Sequence, residues 1–353
     1  MDKKNTKLLI IVLITSFLLS FFISKSLFFS WRNKFIDFLQ TSKNPSGEIL
    51  IIAIDEQSIN NIGQWPWPRS VFGNVLGKLK SAKAIGIDVN FKEQSGQGSA
   101  DDYFFAEKIK ELGSKIVLSS EIQPDGGING PIDILKLNSI QGFTNVEVDQ
   151  DGIVRNISIK NKNETSFSLK LRDLYKPTSK LEHEESRVKI DYLGSDGTFS
   201  NVSFKDVLDG KIPDNFIKDK IIIIGATAPD LHDFHQTPFG IISGSEVQAN
   251  AVQTLINEKF FKESSRVNIL LIFLMSFLAF ILSFRLKNLA FLIIGLLAAL
   301  VSYDLIAFIS FDRYFILDIF YPNLSFILTG VLSISFQYMS TPKEKKFIRE
   351  SLG

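Results

Sequence analysis

The sequence predicts an α/β fold in which a mainly parallel, buried sheet with flanking helices is combined with four transmembrane α-helices, one N-terminal and three C-terminal. Four long apolar segments flank about 235 residues of ordinary soluble composition. Within those residues, short β-branched runs are continuously apolar, which is typical of strands buried on both faces. A helical pattern separates the first two runs, and strand–helix–strand order predicts a parallel sheet.

The four apolar segments are close to the roughly 20 residues that a spanning helix needs. They are Leu8–Phe29, Val267–Phe284, Leu289–Ile309 and Ile316–Tyr338. The first is interpreted as an uncleaved anchor rather than a signal peptide, because its apolar run is long and no small-x-small cleavage site follows. The chain has no cysteine, which fits an exported domain and a cytoplasmic protein equally well.

Positive charge predicts the orientation of these spans. Lys and Arg are concentrated at the chain start, in the turn at Arg285 and Lys287, and in the tail after the last span. Such clusters in short loops mark the cytoplasmic side. We therefore predict a cytoplasmic N-terminus and first helix (1–30), an outer domain (31–266), three further helices (267–339) and a cytoplasmic linker (340–353).

The outer domain is mildly acidic. Residues 31–266 contain 28 Lys and Arg against 32 Asp and Glu, a net charge of −4, whereas the whole chain is at +1. A basic footprint is expected of nucleic-acid-binding proteins. The charge of the outer domain therefore argues against nucleic acid as a partner, and the four apolar segments make the lipid bilayer an expected one.

Strands and helices alternate along the outer domain. The predicted strands are Glu48–Asp55, Ala84–Phe91, Ser114–Ser120 and Asp219–Thr227, with more twisted strands at Ile153–Ile159 and Arg187–Tyr192. The predicted helices are Pro68–Lys80, Asp101–Leu112, Phe167–Tyr175 and Gly244–Asn257. Apolar residues recur at helical spacing in these segments, for example Val71, Phe72, Val75 and Leu76 in the first.

The WPWP stretch, Trp65–Pro68, follows the first strand and forms a rigid, bulky loop. Open α/β sheets bind ligands at the carboxyl ends of their strands. The alternative interpretation is a hydrophobic plug that closes the sheet edge, because Trp in loops generally packs.

Asp55 and Asp88 each end a buried strand, and a single crossover is expected to place them side by side. Two adjacent carboxylates suit a bound cation, a shared proton or an oriented ligand. The alternative is that each Asp caps the helix or turn that follows it, with Arg69 as counter-charge.

Two further polar groups stand out. His232, Asp233 and His235 follow the strand at Ile221–Ile224, but a zinc site needs three or four ligands and no fourth residue is evident, so surface histidines are the commoner outcome. Asp304 and Asp318 lie in or near the last two spans. A carboxylate in a span is a functional candidate, although their closeness to the outer turn favours interface positions.

The chain contains no phosphate-binding loop, no HExxH, no GxSxG and no kinase signature. We therefore predict no catalytic residue, no metal site and no cofactor, and the chain as given is not expected to be an enzyme.

Three segments resemble the second type of CHASE domain, an extracellular sensor of bacterial cyclases and histidine kinases. They are AIDEQSINNIGQWPWPRSVFGNVLGKL, AIGIDVNF and DKIIIIGATAPDLHDFHQTPFGIISGSEVQANAVQTLI. The motifs occur in the family order, and the resemblance covers most of Glu48–Phe260. It extends to the layout, with one helix before the sensor and three after it; about Ser120–Thr198 is not matched.

The resemblance implies a multi-pass protein of the bacterial inner (cytoplasmic) membrane whose sensor faces the periplasm or cell exterior. It implies a homodimer, an unidentified extracytoplasmic ligand or protein partner, and a cytoplasmic output domain, most often an adenylate or guanylate cyclase, otherwise a kinase. The tail resembles the segment entering such an output domain, since Thr341, Pro342 and Glu344 form a helix start. Either the chain is a fragment or the protein has no output domain.

The resemblance also selects the candidates for the sensor pocket. These are Asp55, Ser58, Trp65, Arg69, Asp88, Asp233 and Thr237. Two alternatives remain open from the sequence: an exported, membrane-anchored enzyme that uses Asp55 and Asp88 as acid and base, and a scaffold subunit that binds no ligand.

Overall fold

The structure is a computed structural model that describes residues 3–179, 181 and 186–339. Its helices in chain order are α1 Lys3–Ser26, α2 Phe29–Phe38, α3 Glu56–Ile62, α4 Arg69–Leu76, α5 Ser99–Leu112, α6 Asp133–Lys136, α7 Phe167–Tyr175, α8 Phe204–Leu208, α9 Asp214–Ile217, α10 Gly244–Asn257, α11 Ser265–Arg285, α12 Leu289–Asp312 and α13 Phe320–Met339. Its strands are β1 Ile49–Ile54, β2 Ala84–Asp88, β3 Ile116–Ile122, β4 Ile128–Asn129, β5 Ile140–Phe143, β6 Glu147–Val148, β7 Val154–Ser158, β8 Lys160–Asn161, β9 Glu164–Thr165, β10 Arg187–Lys189, β11 Asn201–Ser203, β12 Ile221–Ala226, β13 Phe234–Thr237, β14 Gly240–Ser243, β15 Lys262–Glu263 and β16 Phe315–Ile316.

The chain divides into two compact units. Unit 1 comprises Met1–Gln40 and Phe261–Gly353, and unit 2 comprises Thr41–Phe260. The chain thus enters unit 2 from the N-terminal helices and returns to unit 1 at β15. The predicted cytoplasmic helix start at Thr341 lies outside the described residues.

Unit 2 is built on a parallel sheet with the strand order β11–β1–β12–β2–β3–β5. The short β4 pairs antiparallel with the end of β3. Register is regular across the centre, where Ile51 lies beside Ile223 and Ile223 beside Gly86. The predicted α/β class with a mainly parallel sheet is confirmed.

Helices cover both faces of this sheet because alternate strand residues point to opposite sides. Leu50, Ile52 and Ile54 of β1 belong to a core with α4, α5 and α8. Ile49 and Ile51 belong to a second core with α7 and α10. Each fully buried aliphatic side chain stabilises the fold by about 1.5–3 kcal/mol relative to exposure, so this double burial explains the continuous apolar runs.

A smaller antiparallel sheet, β10–β7–β6, lies apart from the main one. It includes the two twisted strands predicted from the sequence, and Val188 pairs with Ile157 across them. Both side chains pack in a core with α7 and α10. Arg155 of β7 is 2% exposed and forms ion pairs with Asp149 and Asp151 at 2.9 and 2.8 Å, a buried charged cluster that the sequence did not reveal.

The core of unit 1 is formed by α1, α11 and α13. Small hydroxyl residues occupy the contacts between helices; Ser276 and Ser325 are buried and hydrogen-bonded to each other, and Ser325 also donates to the Ile272 carbonyl at 3.3 Å. Close approach through small side chains and hydroxyl hydrogen bonds is typical of helices that associate in a membrane. Large aliphatic side chains of α12 such as Ile294 and Leu297 are exposed.

Two helices, α11 and α12, are long and apolar enough to cross a membrane. Helices α1 and α2 supply a third candidate only if this pair, bent by 88°, counts as one span, and Phe320–Ser335 of α13 is a shorter apolar helix. The predicted fourth span began at Ile316, but Phe315 and Ile316 instead form β16, which pairs with β15. The start of that prediction was wrong, because apolar composition does not distinguish a short bridging strand from a helix.

Candidate functional site

Several strands of the main sheet end at one edge of unit 2, as parallel pairing requires. Asp88 is the last residue of β2, and Ser119 and Ser120 lie near the end of β3. Thr144 follows β5, and Asp233 follows the turn after β12. Ligands of open α/β sheets bind outside the carboxyl ends of the strands, so this edge is where a site is expected.

An open cleft of about 370 Å³ lies at this edge. Its lining residues are Asp88, Asn90, Ser119, Ser120, Glu121, Thr144, Asn145, Val146, Asp233 and His235. Nε2 of His235 lies 3.3 Å from Oδ1 of Asp233. Asn145 is fixed at the rim because its amide pairs with the Ile122 backbone, accepting at 2.7 Å and donating at 3.0 Å.

Two glycines allow the carboxylates to lie this close to the backbone. A Cβ on Gly244, the first residue of α10, would collide with the Asp233 carboxylate. A Cβ on Gly225 would collide with Oγ of Ser245 and touch Cβ of Asp88. Asp233 thus lies at the N-terminus of a 14-residue helix, where the helix dipole favours a negative charge.

The two carboxyl groups differ in their surroundings. Burial, reinforced by the negative charge of Asp233, raises the pKa of Asp88 from 3.8 to about 7, against an opposing hydrogen bond from Thr144. The Asp233 carboxylate has the His235 imidazole as a neighbour, 3.3 Å away. The cleft therefore holds one carboxyl group that exchanges its proton near neutrality beside a second carboxylate and an imidazole.

Asp55 does not belong to this cleft. It caps α3 by accepting from the Ser58 backbone N–H at 2.8 Å and from the hydroxyls of Ser58 and Ser203 at 2.5 and 3.0 Å. The expectation that Asp55 and Asp88 lie side by side is wrong, because β12 pairs with both β1 and β2 and separates them. The two carboxylates are therefore not neighbours, and that of Asp55 is engaged as a helix cap.

Ser58 is fully buried between Asp55 and β11, and its hydroxyl accepts from the Lys205 backbone N–H at 3.1 Å. Thr237 is 1% exposed and donates to the Gly240 carbonyl at 2.8 Å, which closes the β13–β14 hairpin. Both side chains are engaged in local structure.

The WPWP loop packs into the core of unit 2. Trp65 stacks edge-on against Trp67, and both rings contact Phe72. Trp67 is 3% exposed and donates its indole N–H to the Gly63 carbonyl at 2.8 Å. This geometry corresponds to the plug interpretation of the loop.

Arg69 begins α4 and holds three segments together. Its backbone N–H donates to Asp101 at 2.6 Å, its guanidinium donates to the Glu93 carbonyl at 3.0 Å, and Nε lies 3.6 Å from Asp102. The guanidinium also lies 4.5 Å from the centre of the Phe91 ring. Burial lowers the pKa of Arg69 despite these carboxylates. Arg69 borders a separate cleft of about 460 Å³, beside the Pro66–Pro68 segment.

Of the seven candidates from the sequence, the structure thus brings Asp88 and Asp233 together and places the other five elsewhere in unit 2. Sequence reasoning missed Thr144 and Asn145, which lie in the segment without a recognisable motif. The signal that could have found them is the polar pair that directly follows the apolar end of β5. Within the described residues, no group of three or more His, Cys, Asp or Glu side chains is arranged to hold a metal ion.

Unit 1 contains a polar cluster of its own, which we call the Arg32 cluster: Arg32, Glu263, Asn268, Asp318 and Tyr321. Arg32 of α2 pairs with Asp318 at 2.8 Å and with Glu263 of β15. Asn268 of α11 donates to Glu263 at 3.1 Å and accepts from the Asp318 backbone N–H at 3.2 Å.

This cluster also reaches two other helices. Tyr303 of α12 donates to the Asp318 carbonyl, and Tyr321 of α13 donates to the Leu27 carbonyl at 2.5 Å. Asp318 lies between β16 and α13, whereas Asp304 lies within α12 and accepts from Asn323 at 2.7 Å. The Arg32 cluster and its hydrogen-bond partners therefore connect α2, α11, α12 and α13 with the residue that follows α1, near the points where the chain leaves and re-enters unit 1.

Unit 2 is a three-layer α/β domain with a polar cleft at its sheet edge, and the chain continues from both of its ends into apolar helices. In a comparison with protein-family models, the CHASE2 domain model matches residues 9–283. The chain belongs to the CHASE2 family of extracellular sensor domains, as the resemblance in the sequence indicated. Comparisons with curated proteins and with solved structures gave no match.

Proposed function

We propose that the chain is the sensory and membrane-spanning region of a bacterial signal-transduction receptor, which relays an extracytoplasmic stimulus to a cytoplasmic adenylate or guanylate cyclase. Membership of a sensor family rather than a catalytic one supports the receptor assignment. The cyclase output rests on the resemblance of the tail to the segment that enters such domains.

The proposed topology has four spans in the inner membrane, with unit 2 in the periplasm or outside the cell. Apolar length supports α11 and α12 directly. The basic residues at the chain start and at Arg285 and Lys287 support a cytoplasmic location for those segments. With both ends of unit 2 joined to membrane helices, a change in unit 2 can alter the helix arrangement.

We assign ligand binding to the cleft of Asp88 and Asp233. The observation that carries this assignment is the convergence of two carboxyl groups and His235 at the carboxyl edge of the sheet. Such a lining suits a small polar ligand that presents a positively charged group, for example an amine. Because a cation stabilises the ionised form of Asp88, its affinity is expected to increase as the pH rises through 7.

The Arg32 cluster is the proposed point of relay. It joins α2, β15 and the outer ends of the later helices through hydrogen bonds and ion pairs. A ligand that binds one arrangement of unit 2 more tightly shifts the population between two helix arrangements. In a homodimer, this shift would alter the spacing of two cyclase domains.

A chimera tests this proposal. A class III cyclase catalytic domain is fused after Gly353, and cyclic nucleotide production in membranes is measured with a panel of simple monoamines and diamines. We expect amines to change the activity of the native chimera more at pH 8 than at pH 6, and to have no effect on the Asp88→Asn chimera. Asp133→Asn is the matched control, since its side chain is 96% exposed. An equal response of the Asp88→Asn and native chimeras would contradict the assignment.

A further inference from the structure

Helix α2 departs sharply from the helix before it. Phe28, the residue before α2, has a left-handed backbone conformation with φ of 61°. The axis of α2 then makes an angle of 88° with α1. The proposed topology makes α1 alone, rather than the bent pair, the first span; if α1 crosses the bilayer close to its normal, α2 lies in the plane of the surface.

One face of α2 is fixed to unit 1. Ile36 and Leu39 are buried in a core with residues of α12 and β16. Asn33 is buried, and Arg32 forms the ion pairs of the Arg32 cluster. The rotation of α2 about its own axis is therefore set by contacts within unit 1.

The opposite face is aromatic and exposed. Trp31, Phe35 and Phe38 follow each other at i, i+4 and i+7, with exposed fractions of 59%, 43% and 87%. Large aromatic side chains in one exposed stripe mark an interaction surface. Lys34 lies on the same face, with its ammonium group 5.9 Å from the Trp31 ring.

The aromatic stripe is continuous with the start of α13. The ring of Phe35 lies 5.7 Å from that of Phe320, the first residue of α13, and Phe28 lies 5.9 Å from the same ring. The stripe thus contacts an apolar helix that we assign to the membrane. The lipid that surrounds α12 and α13 would therefore also contact the aromatic side chains of α2.

We propose that α2 is an interfacial helix that lies flat on the outer surface of the bilayer, with Trp31, Phe35 and Phe38 among the phospholipid headgroups and upper acyl chains. Aromatic side chains favour this region because the rings are apolar while the indole N–H and nearby cations remain hydrated. Lys34 supplies a positive charge for lipid phosphates. By lying on the bilayer surface, α2 would hold the Arg32 cluster at a fixed depth relative to the lipid headgroups. This inference rests on the proposed membrane topology.

Because the chain has no cysteine, single spin labels can be placed without background. Phe38→Cys and Trp31→Cys report on α2, Ile294→Cys reports on the exposed side of α12, and Lys160→Cys reports on an exposed strand of unit 2. The full chain is reconstituted in vesicles of phosphatidylcholine and phosphatidylglycerol. The accessibility of each nitroxide to oxygen and to a water-soluble nickel chelate then gives its depth.

We expect the labels at 31 and 38 to show several-fold lower nickel accessibility than the label at 160, and lower oxygen accessibility than the label at 294. Nickel accessibility at both α2 positions equal to that at 160, with 294 in the lipid, would overturn the interfacial helix alone. A water-like label at 294 as well would overturn the membrane topology on which it rests. Spin–spin broadening at 31 and 38 with low accessibility to both reagents would assign the stripe to a second copy of the chain and likewise overturn the proposal.

Discussion

Asp88→Asn removes the charge of the cleft carboxyl group while keeping its shape and a partner for Thr144. Burial and the neighbouring Asp233 raise the pKa of Asp88 in the folded chain from 3.8 to about 7. Between these two pH values the folded state holds a proton that the unfolded state has released. Since the folded state binds more protons, the free energy of unfolding falls as the pH rises from about 4 to 7 and is constant above that.

The size of the effect follows from the same values. At about 1.4 kcal/mol per pH unit, the increase in the pKa of Asp88 to about 7 corresponds to roughly 4 kcal/mol. Asp88 is only half-buried, so water screens part of its charge and we expect roughly 2 kcal/mol. Asp88→Asn lacks this ionisation and should therefore gain about that much stability relative to the native chain between pH 4 and 8.

Urea unfolding of the full chain in detergent, followed by tryptophan fluorescence, measures this difference. Trp65 and Trp67 report on unit 2 because both contact its core. Asp133→Asn, an exposed carboxylate, should follow the native chain at every pH. A stability difference between Asp88→Asn and the native chain that is the same at pH 4 and pH 8 would mean that the fold does not raise the pKa of Asp88.

Three further substitutions test other parts of the structure. Gly244→Ala should displace the Asp233 carboxylate and lower the pKa of Asp88, seen as a flatter pH dependence of the unfolding free energy; an unchanged pH dependence would contradict the packing of this turn. Arg155→Leu leaves the buried Asp151 carboxylate without its cation, while Asp149 keeps Arg187 at 3.3 Å; it should cost about 3 kcal/mol in urea unfolding, and a cost below about 1 kcal/mol would count against the cluster. Arg32→Gln should lower the thermal stability of the chain in detergent by an amount equivalent to about 3 kcal/mol, because the Asp318 carboxylate is then buried without its cation; an unaltered melting curve would contradict this.

The strands were predictable because burial on both faces requires continuous β-branched apolar runs. Each of the four main runs became a parallel strand within two or three residues of its expected bounds. The strand order was not predictable. The run at Ile221–Ala226 lies about 130 residues after Ala84–Asp88, yet it pairs between the first two strands. The rule that crossovers are right-handed does not specify which later strand inserts between two earlier ones.

The candidate site was predictable only in part. Strand-end position identified Asp88 and Asp233, since polar residues after buried strands converge at one edge. The same rule selected Asp55, whose carboxylate instead caps α3. Asp318 of the Arg32 cluster stood out in the sequence as a carboxylate near a span, but its partner Arg32 did not, because the two residues lie 286 positions apart and are brought together only by helix packing.

In the proposed topology, unit 2 lies outside the cytoplasm while the α11–α12 turn lies inside it, and cysteine labelling of intact cells distinguishes the two locations directly. Lys160→Cys in unit 2 and Lys287→Cys in the turn are expressed separately and treated with a membrane-impermeant maleimide. We predict labelling of residue 160 in intact cells and of residue 287 only after permeabilisation. Labelling of residue 287 in intact cells, with residue 160 protected until permeabilisation, would place unit 2 in the cytoplasm and overturn the proposed topology.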